Sequence, residues 1–165
     1  MFLLMLRCGL RIGEIPGLLL THLYLDEPKP RLVAWGKGSH ERSVYLSPQA
    51  EKALRRYLRE RPASTDEHVF LSYQLAGLST TAIHYRLIIY REAAEVSLTA
   101  HRLRHSFAND LLNADVPVTT IQKLLGHRWL ETTQIYVAAN DQQVAADYYA
   151  ACAKLEDWRL QEEPK

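Results

Sequence analysis

Apolar residues first repeat at three- and four-residue spacing. Phe2, Leu3, Leu6 and Leu10 mark one side of a helix that leads towards Arg11, and these leucines are expected in the core. The period then shortens. Thr21 to Tyr24, Arg31 to Trp35 and Ser43 to Leu46 are short runs rich in β-branched or aromatic residues, separated by Pro28, Pro30 and the Gly36 to Gly38 turn. They predict a small antiparallel sheet. From Ser47 the helical period returns: Ser47 suits an N-cap, Pro48 suits the first turn, and Ala50, Ala53, Leu54, Tyr57 and Leu58 form one stripe.

After Pro62, a Val69 to Ser72 stretch and a turn at Gly77 lead into a helix capped by Ser79 or Thr80, with Ile83, Leu87, Tyr90 and Ala94 expected inward. Three more helical segments follow, at about Ala100 to Asn113, at Val118 to Leu125, and from Glu131 or Thr132. Thr99 can cap the first of these, Pro117 suits the opening turn of the second, and Gly126 can take the left-handed conformation that ends it. A last helix is predicted over roughly Gln142 to Trp158, with Val144, Tyr148, Ala151, Leu155 and Trp158 on one stripe.

The chain's 165 residues suit one domain, and its hydrophobic and charged fractions are those of an ordinary globular protein. Two cysteines, Cys8 and Cys152, provide neither a disulfide framework nor a metal-ligand spacing, which points to a reducing cytoplasm. MFLLML, followed by Arg7, is too short for a membrane span and fits neither a signal peptide nor an anchor. A net charge of +1 gives no case for nucleic acid by itself, but the charge is unevenly spread. Nine Lys or Arg face three acidic residues between Lys29 and Arg61, whereas Asp141 to Lys165 carries six acidic and three basic residues. A basic middle and an acidic tail suggest a phosphate-facing surface and a segment kept away from it. Solvated faces with no partner remain the other reading of Lys52, Arg55, Arg56 and Arg59.

On the helix predicted from Ala100, His101, Arg104 and His105 stand at i, i+3 and i+4, so they share a face, while Leu103, Phe107 and Leu111 turn towards a core. His127 follows the glycine stop, and Tyr136 comes nine residues later. Arginine and histidine grouped with a tyrosine suit phosphodiester chemistry: two non-bridging oxygens need donors while a phenol oxygen attacks phosphorus. Any one of these residues alone is most often an ordinary surface group; their order and spacing together carry the reading.

CGLRIGE at Cys8 to Glu14, GKGSHER at Gly36 to Arg42, HRLRH at His101 to His105, LLGH at Leu124 to His127 and TTQIY ending at Tyr136 closely resemble the catalytic domain of tyrosine recombinases, the phage integrase family. The resemblance runs from about Leu3 to Ala139. It implies an α+β fold of the DNA breaking-rejoining kind, mainly helical with a three-stranded antiparallel sheet. It also implies that residues 1–165 are one catalytic domain, without the amino-terminal core-binding domain and first catalytic-domain helices. Pro16 departs from the commoner pattern, in which a helix continues through this point.

The activity implied is site-specific DNA recombination or integration through a 3′-phosphotyrosyl intermediate, with no cofactor and no metal. In that assignment Tyr136 is the nucleophile, Arg11 and Arg104 hold the non-bridging oxygens, and His127 donates a further hydrogen bond. His101 helps deprotonate the phenol, and Lys37 protonates the leaving 5′-oxygen. Glu14 and His105 orient these groups. His40 and Arg42 are candidate DNA contacts near the hairpin, as are Arg86 and Arg91 on the helix capped by Ser79 or Thr80. The partners implied are double-stranded DNA and further copies of the chain, as a tetramer on DNA joined through the carboxy-terminal helix, in a cytoplasmic, nucleoid-associated setting with no membrane. A catalytically incompetent DNA-binding regulator and a relaxing topoisomerase of type IB are the alternatives.

Overall fold

The computed structural model describes residues 1–36, 41–126 and 141–162. Helix α1 (Phe2–Cys8) stops where Gly9 turns left-handed, at φ 68°. Its buried side is Leu4, Met5 and Cys8, while Phe2, Leu3 and Leu6 are half-buried. Within the helix the apolar run had placed the inward face two residues out of register, because nearly every position of FLLML fits a core; Leu10 beyond it is buried as expected. Pro16 does not shorten this helix, which has already ended; a single tight turn over Ile12–Glu14 follows Arg11 instead.

A second tight turn (Leu20–His22) leads into β1 (Leu23–Tyr24), which is shorter than the predicted strand. β2 (Arg31–Trp35) and β3 (Glu41–Tyr45) complete an antiparallel sheet in the order β1-β2-β3. Leu32 pairs with Val44 and Ala34 with Arg42, so the inward face of the sheet carries Leu32, Ala34 and Val44, all essentially sealed from solvent. β3 thus starts two residues before the predicted Ser43.

The Ser47 hydroxyl accepts the Ala50 N–H at 3.3 Å and opens α2 (Pro48–Glu60). Ala50 and Leu54 are buried on this helix, with Ala53, Tyr57 and Leu58 half-buried beside them. Of the surface cations, Arg55 bridges Glu51 at 2.8 Å and Asp26 at 3.1 Å. The connection after α2 is pinned by Arg61, which donates to the carbonyls of Asp66 and His68 at 2.6 and 2.9 Å. Asp66 in turn accepts the Gly77 N–H at 2.9 Å. Gly77 is required there: a Cβ would lie 2.7 Å from the His68 ring.

Ser79 caps α3 (Thr80–Ala93), which buries Ile83 and Leu87. Tyr90 is 58% exposed, against expectation, its ring edge-on to Phe2, and Ala94 is exposed too. Thr99 accepts the Arg102 N–H at 3.1 Å to open α4 (Ala100–Asn113), and Leu103, Phe107 and Leu111 are buried as the period predicts.

The chain divides into two compact units, residues 1–107 and 108–165. In the second, α5 (Val118–Leu125) ends at Gly126, φ 62°, and α6 (Asp141–Glu162) buries Val144, Ala145, Tyr148, Ala151 and Cys152. The Thr120 hydroxyl donates to Asp147 at 2.9 Å, joining α5 to α6. The helix predicted from Glu131 or Thr132 falls outside the described residues. Among the described residues no helix is long and apolar enough to cross a membrane.

Leu32→Ala empties a fully buried position of the sheet and is expected to destabilise the chain by about 2–5 kcal/mol. Tyr85→Ala removes a side chain from a position 64% exposed and is expected to change stability by less than about 0.5 kcal/mol. Urea denaturation of both variants checks this; comparable losses would contradict the placement of α3.

Candidate active site

The first unit gathers three arginines around two acceptors. Because Gly9 is left-handed, α1 ends abruptly and Leu10, fully buried, anchors the chain just beyond it. The Gly9 carbonyl accepts a bond from Arg42 Nη2 at 3.3 Å and a close one from Arg104 Nη1. Two residues on, Arg11 starts the Ile12–Glu14 turn, and the Glu14 side chain folds back to accept the Arg11 backbone N–H at 2.7 Å and Arg11 Nη1 at 3.0 Å. Arg42 reaches the same carboxylate from β3, with Nη2 2.9 Å from Oε2 and Nε 3.4 Å from Oε1. Each carboxylate oxygen therefore receives one bond from Arg11 and one from Arg42.

Glu14 is 4% exposed. Burial alone pushes its carboxyl pKa up, but the Arg42 guanidinium, the Arg11 backbone N–H and the Arg11 charge outweigh this and hold it below the ordinary value. The pKa of Arg42 is lowered by burial, with the Glu14 carboxylate opposing. That of Arg104 is lowered to about 10 by burial and then by repulsion from Arg11 and Arg42, so it stays charged at neutral pH. Three guanidiniums and one carboxylate leave two net positive charges. Arg11, with 41% of its side chain exposed, is the most open of its ion-paired members. Such a cluster is suited to a phosphate, which arginine holds by its fixed fork of donors.

His101 and His105 stand exposed on the same α4 surface as Arg104, their Nε2 atoms 2.7 Å apart and their rings edge-to-face. A hydrogen bond between two ring nitrogens requires one to donate and the other to accept, so the tautomers of the two rings are coupled.

Of the residues singled out by sequence, Arg11, Glu14 and Arg104 come together around Gly9. Arg42 joins them from behind: its side chain is 13% exposed and turned onto Glu14. The parity of β3 carries the signal, since Arg42 shares a face with buried Val44, and an inward arginine needs a carboxylate. The Gly9 carbonyl was not anticipated at all. Arg86 and Arg91 are half-buried on α3, and Arg91 lies 4.0 Å from Glu92. Lys37, His40, His127 and Tyr136 lie outside the described residues. Among the described residues no group of three or more His, Cys, Asp or Glu side chains could hold a metal ion.

Because the Glu14 pKa is lower folded than unfolded, the unfolded chain binds more protons as the solution is acidified. The stability that Glu14 contributes is present above the ordinary carboxyl value of 4.5 and is lost as pH falls through its lower folded value. Glu14→Gln is therefore expected to lower the urea midpoint near neutral pH, with the gap to wild type closing in acid; a gap that stays constant with pH would contradict the ion-pair geometry.

The phage integrase family profile matches residues 1–143, across the boundary between the two units. Tyrosine recombinase XerD of Lacticaseibacillus casei is 37% identical over 155 residues, covering 90% of this chain and 52% of that protein. XerC of Leptospira interrogans is 35% identical over 147 residues, covering 87% and 47%. Among solved structures, XerA recombinase superposes with a TM-score of 0.71 at 26% identity, covering 98% of this chain and 56% of that one. The integrase from mycobacterium phage Brujita gives 0.70 at 27% identity, covering 91% and 50%. The chain spans about half the length of the curated relatives it matches, and on the profile, the motifs and the fold it belongs to the phage integrase family.

Proposed function

We propose that this chain carries the catalytic residues of a site-specific DNA recombinase. The observation that supports this most is the convergence of Arg11, Arg42 and Arg104 on the Gly9 carbonyl and the buried Glu14, a net positive cluster matched to a phosphodiester. Arg11 and Arg104 take the two non-bridging oxygens. Tyr136 attacks phosphorus, a 3′-phosphotyrosyl bond forms, and the bond to the 5′-oxygen breaks as Lys37 supplies its proton. His101 accepts the phenol proton, needed because an unperturbed tyrosine has a pKa of about 10. His127 donates to a non-bridging oxygen, and His105 holds His101 in place. A 5′-hydroxyl from a second strand then attacks the phosphotyrosine and restores the phosphodiester. Bond energy is kept in the protein throughout, so the cycle needs no nucleotide triphosphate.

His40, Arg86 and Arg91 are read as contacts to the DNA backbone, where cations act by neutralising phosphates. The protein works on DNA as a homo-tetramer, in the nucleoid. The inner stripe of α6 is engaged within the chain as far as Cys152, so the contact between copies belongs to the end of the helix beyond it.

Incubation with a nicked suicide duplex tests the chemistry. Wild type is expected to form a covalent adduct, Tyr136→Phe none, and Arg104→Ala to slow adduct formation on the order of a hundredfold or more. No wild-type adduct would favour a DNA-binding regulator; an adduct with relaxation but no strand exchange would favour a topoisomerase. Truncation after Glu156 in the same assay is expected to leave cleavage and to weaken assembly on DNA.

A further inference from the structure

Arg42 reaches the site from the sheet, whereas Arg11 follows α1 and Arg104 projects from α4. Three of its hydrogen bonds are directed inward. Nη2 lies between Glu14 Oε2 and the Gly9 carbonyl, at 2.9 and 3.3 Å, and Nε faces Glu14 Oε1. A carbonyl oxygen offers two lone pairs, and that of Gly9 accepts from both Arg42 and Arg104, which ties these two guanidiniums to one point. The carboxylate does the same for Arg11 and Arg42, one bond from each on each oxygen. Arg42 is the member common to both acceptors.

We propose that Arg42 is a positioning residue, which acts through Glu14 and the Gly9 carbonyl to hold Arg11 and Arg104 in the orientation that receives a phosphate, without taking a phosphate oxygen itself. This deepens the reading of the cluster as a phosphate site and rests on it. It separates two roles that charge alone would merge. A cation needed only for its field is replaceable by lysine, whereas one needed for its fork is not, because an ammonium has no planar pair of donors to span Glu14 and Gly9.

Inorganic sulfate, whose charge is constant over the working pH range, is a suitable probe of the cluster. Its binding to the whole chain is followed by the Nε–H resonances of Arg11, Arg42 and Arg104, with thermal melting confirming that each variant is folded. In wild type the signals of Arg11 and Arg104 are expected to respond and that of Arg42 to remain nearly still. Arg42→Gln is expected to weaken sulfate about tenfold, the size of effect that loss of a coupled partner commonly carries, and Arg42→Lys is expected not to restore it.

A pH series adds a readout that a purely structural role would leave in place. Glu14 is faced by Arg11 on its own turn, Arg42 from β3 and Arg104 from α4, with the Cys8 thiol near Arg42 at the end of α1. Arg42→Gln keeps Glu14 buried and removes the strongest neighbour that favours its charged form. The acid limit of sulfate binding should therefore move to higher pH, and Glu14→Gln added to Arg42→Gln should abolish that movement. Full recovery in Arg42→Lys, an Arg42 resonance that moves as far as that of Arg11, unchanged affinity in Arg42→Gln, or an unmoved acid limit would each overturn the positioning role while leaving the phosphate site standing. A wild-type chain whose Arg11 and Arg104 signals ignore sulfate would overturn both.

Discussion

One carboxylate, that of Glu14, makes the arrangement at the end of α1 tolerable. Like charges repel, and bringing Arg11, Arg42 and Arg104 together in a partly buried space is unfavourable without a counter-charge among them. Glu14 supplies it, four bonds deep, and remains ionised despite its burial because two arginines press on it from opposite sides. The compensation is incomplete: three positive groups against one negative leave a positive excess, which suits an anion such as phosphate.

Each part of the fold in the first unit contributes one direction to that centre. The left-handed Gly9, just beyond α1, presents its carbonyl to two of the arginines, β3 supplies Arg42 beside the small Ala34, and α4 supplies Arg104 once Leu103 and Phe107 are seated in the core. The hydrophobic surfaces therefore do more than stabilise. Leu10, Val44 and Leu103 fix the backbones from which the charged side chains project, so the spacing of guanidiniums is set by packing and not by the charges themselves. The imidazoles of His101 and His105, about one turn apart on α4, lie within hydrogen-bond distance of each other, Nε2 to Nε2.

The helices and their caps were legible because local chemistry decides them: Ser47, Ser79 and Thr99 accept the N–H three residues on, and Gly126 is left-handed where a stop was expected. The grouping of Arg11, Glu14 and Arg104 was legible from motif order. Arg42 was misjudged for a definite reason. Starting the third strand at Ser43 left Arg42 outside it, read as a DNA contact near the hairpin, whereas the strand starts at Glu41 and its alternation sends Arg42 inward with Val44. Tyr90 was misjudged because α3 is apolar on several sides, so periodicity does not single out a buried one; Ile88, Ile89 and Tyr90 are all exposed. The Gly9 carbonyl had no side-chain signature, and only the meeting of α1, β3 and α4 brings out its role.

The central claim is that the arginine cluster serves a phosphoryl transfer to one particular phenol. Digestion of the trapped DNA adduct with trypsin and nuclease, followed by mass mapping, tests it at the level of the atom. Trypsin leaves Tyr136, Tyr148 and Tyr149 on one peptide between Arg128 and Lys154, and fragmentation resolves them. The account predicts nucleotide mass on Tyr136 alone; nucleotide on Tyr148 or Tyr149, or on no tyrosine, would contradict it.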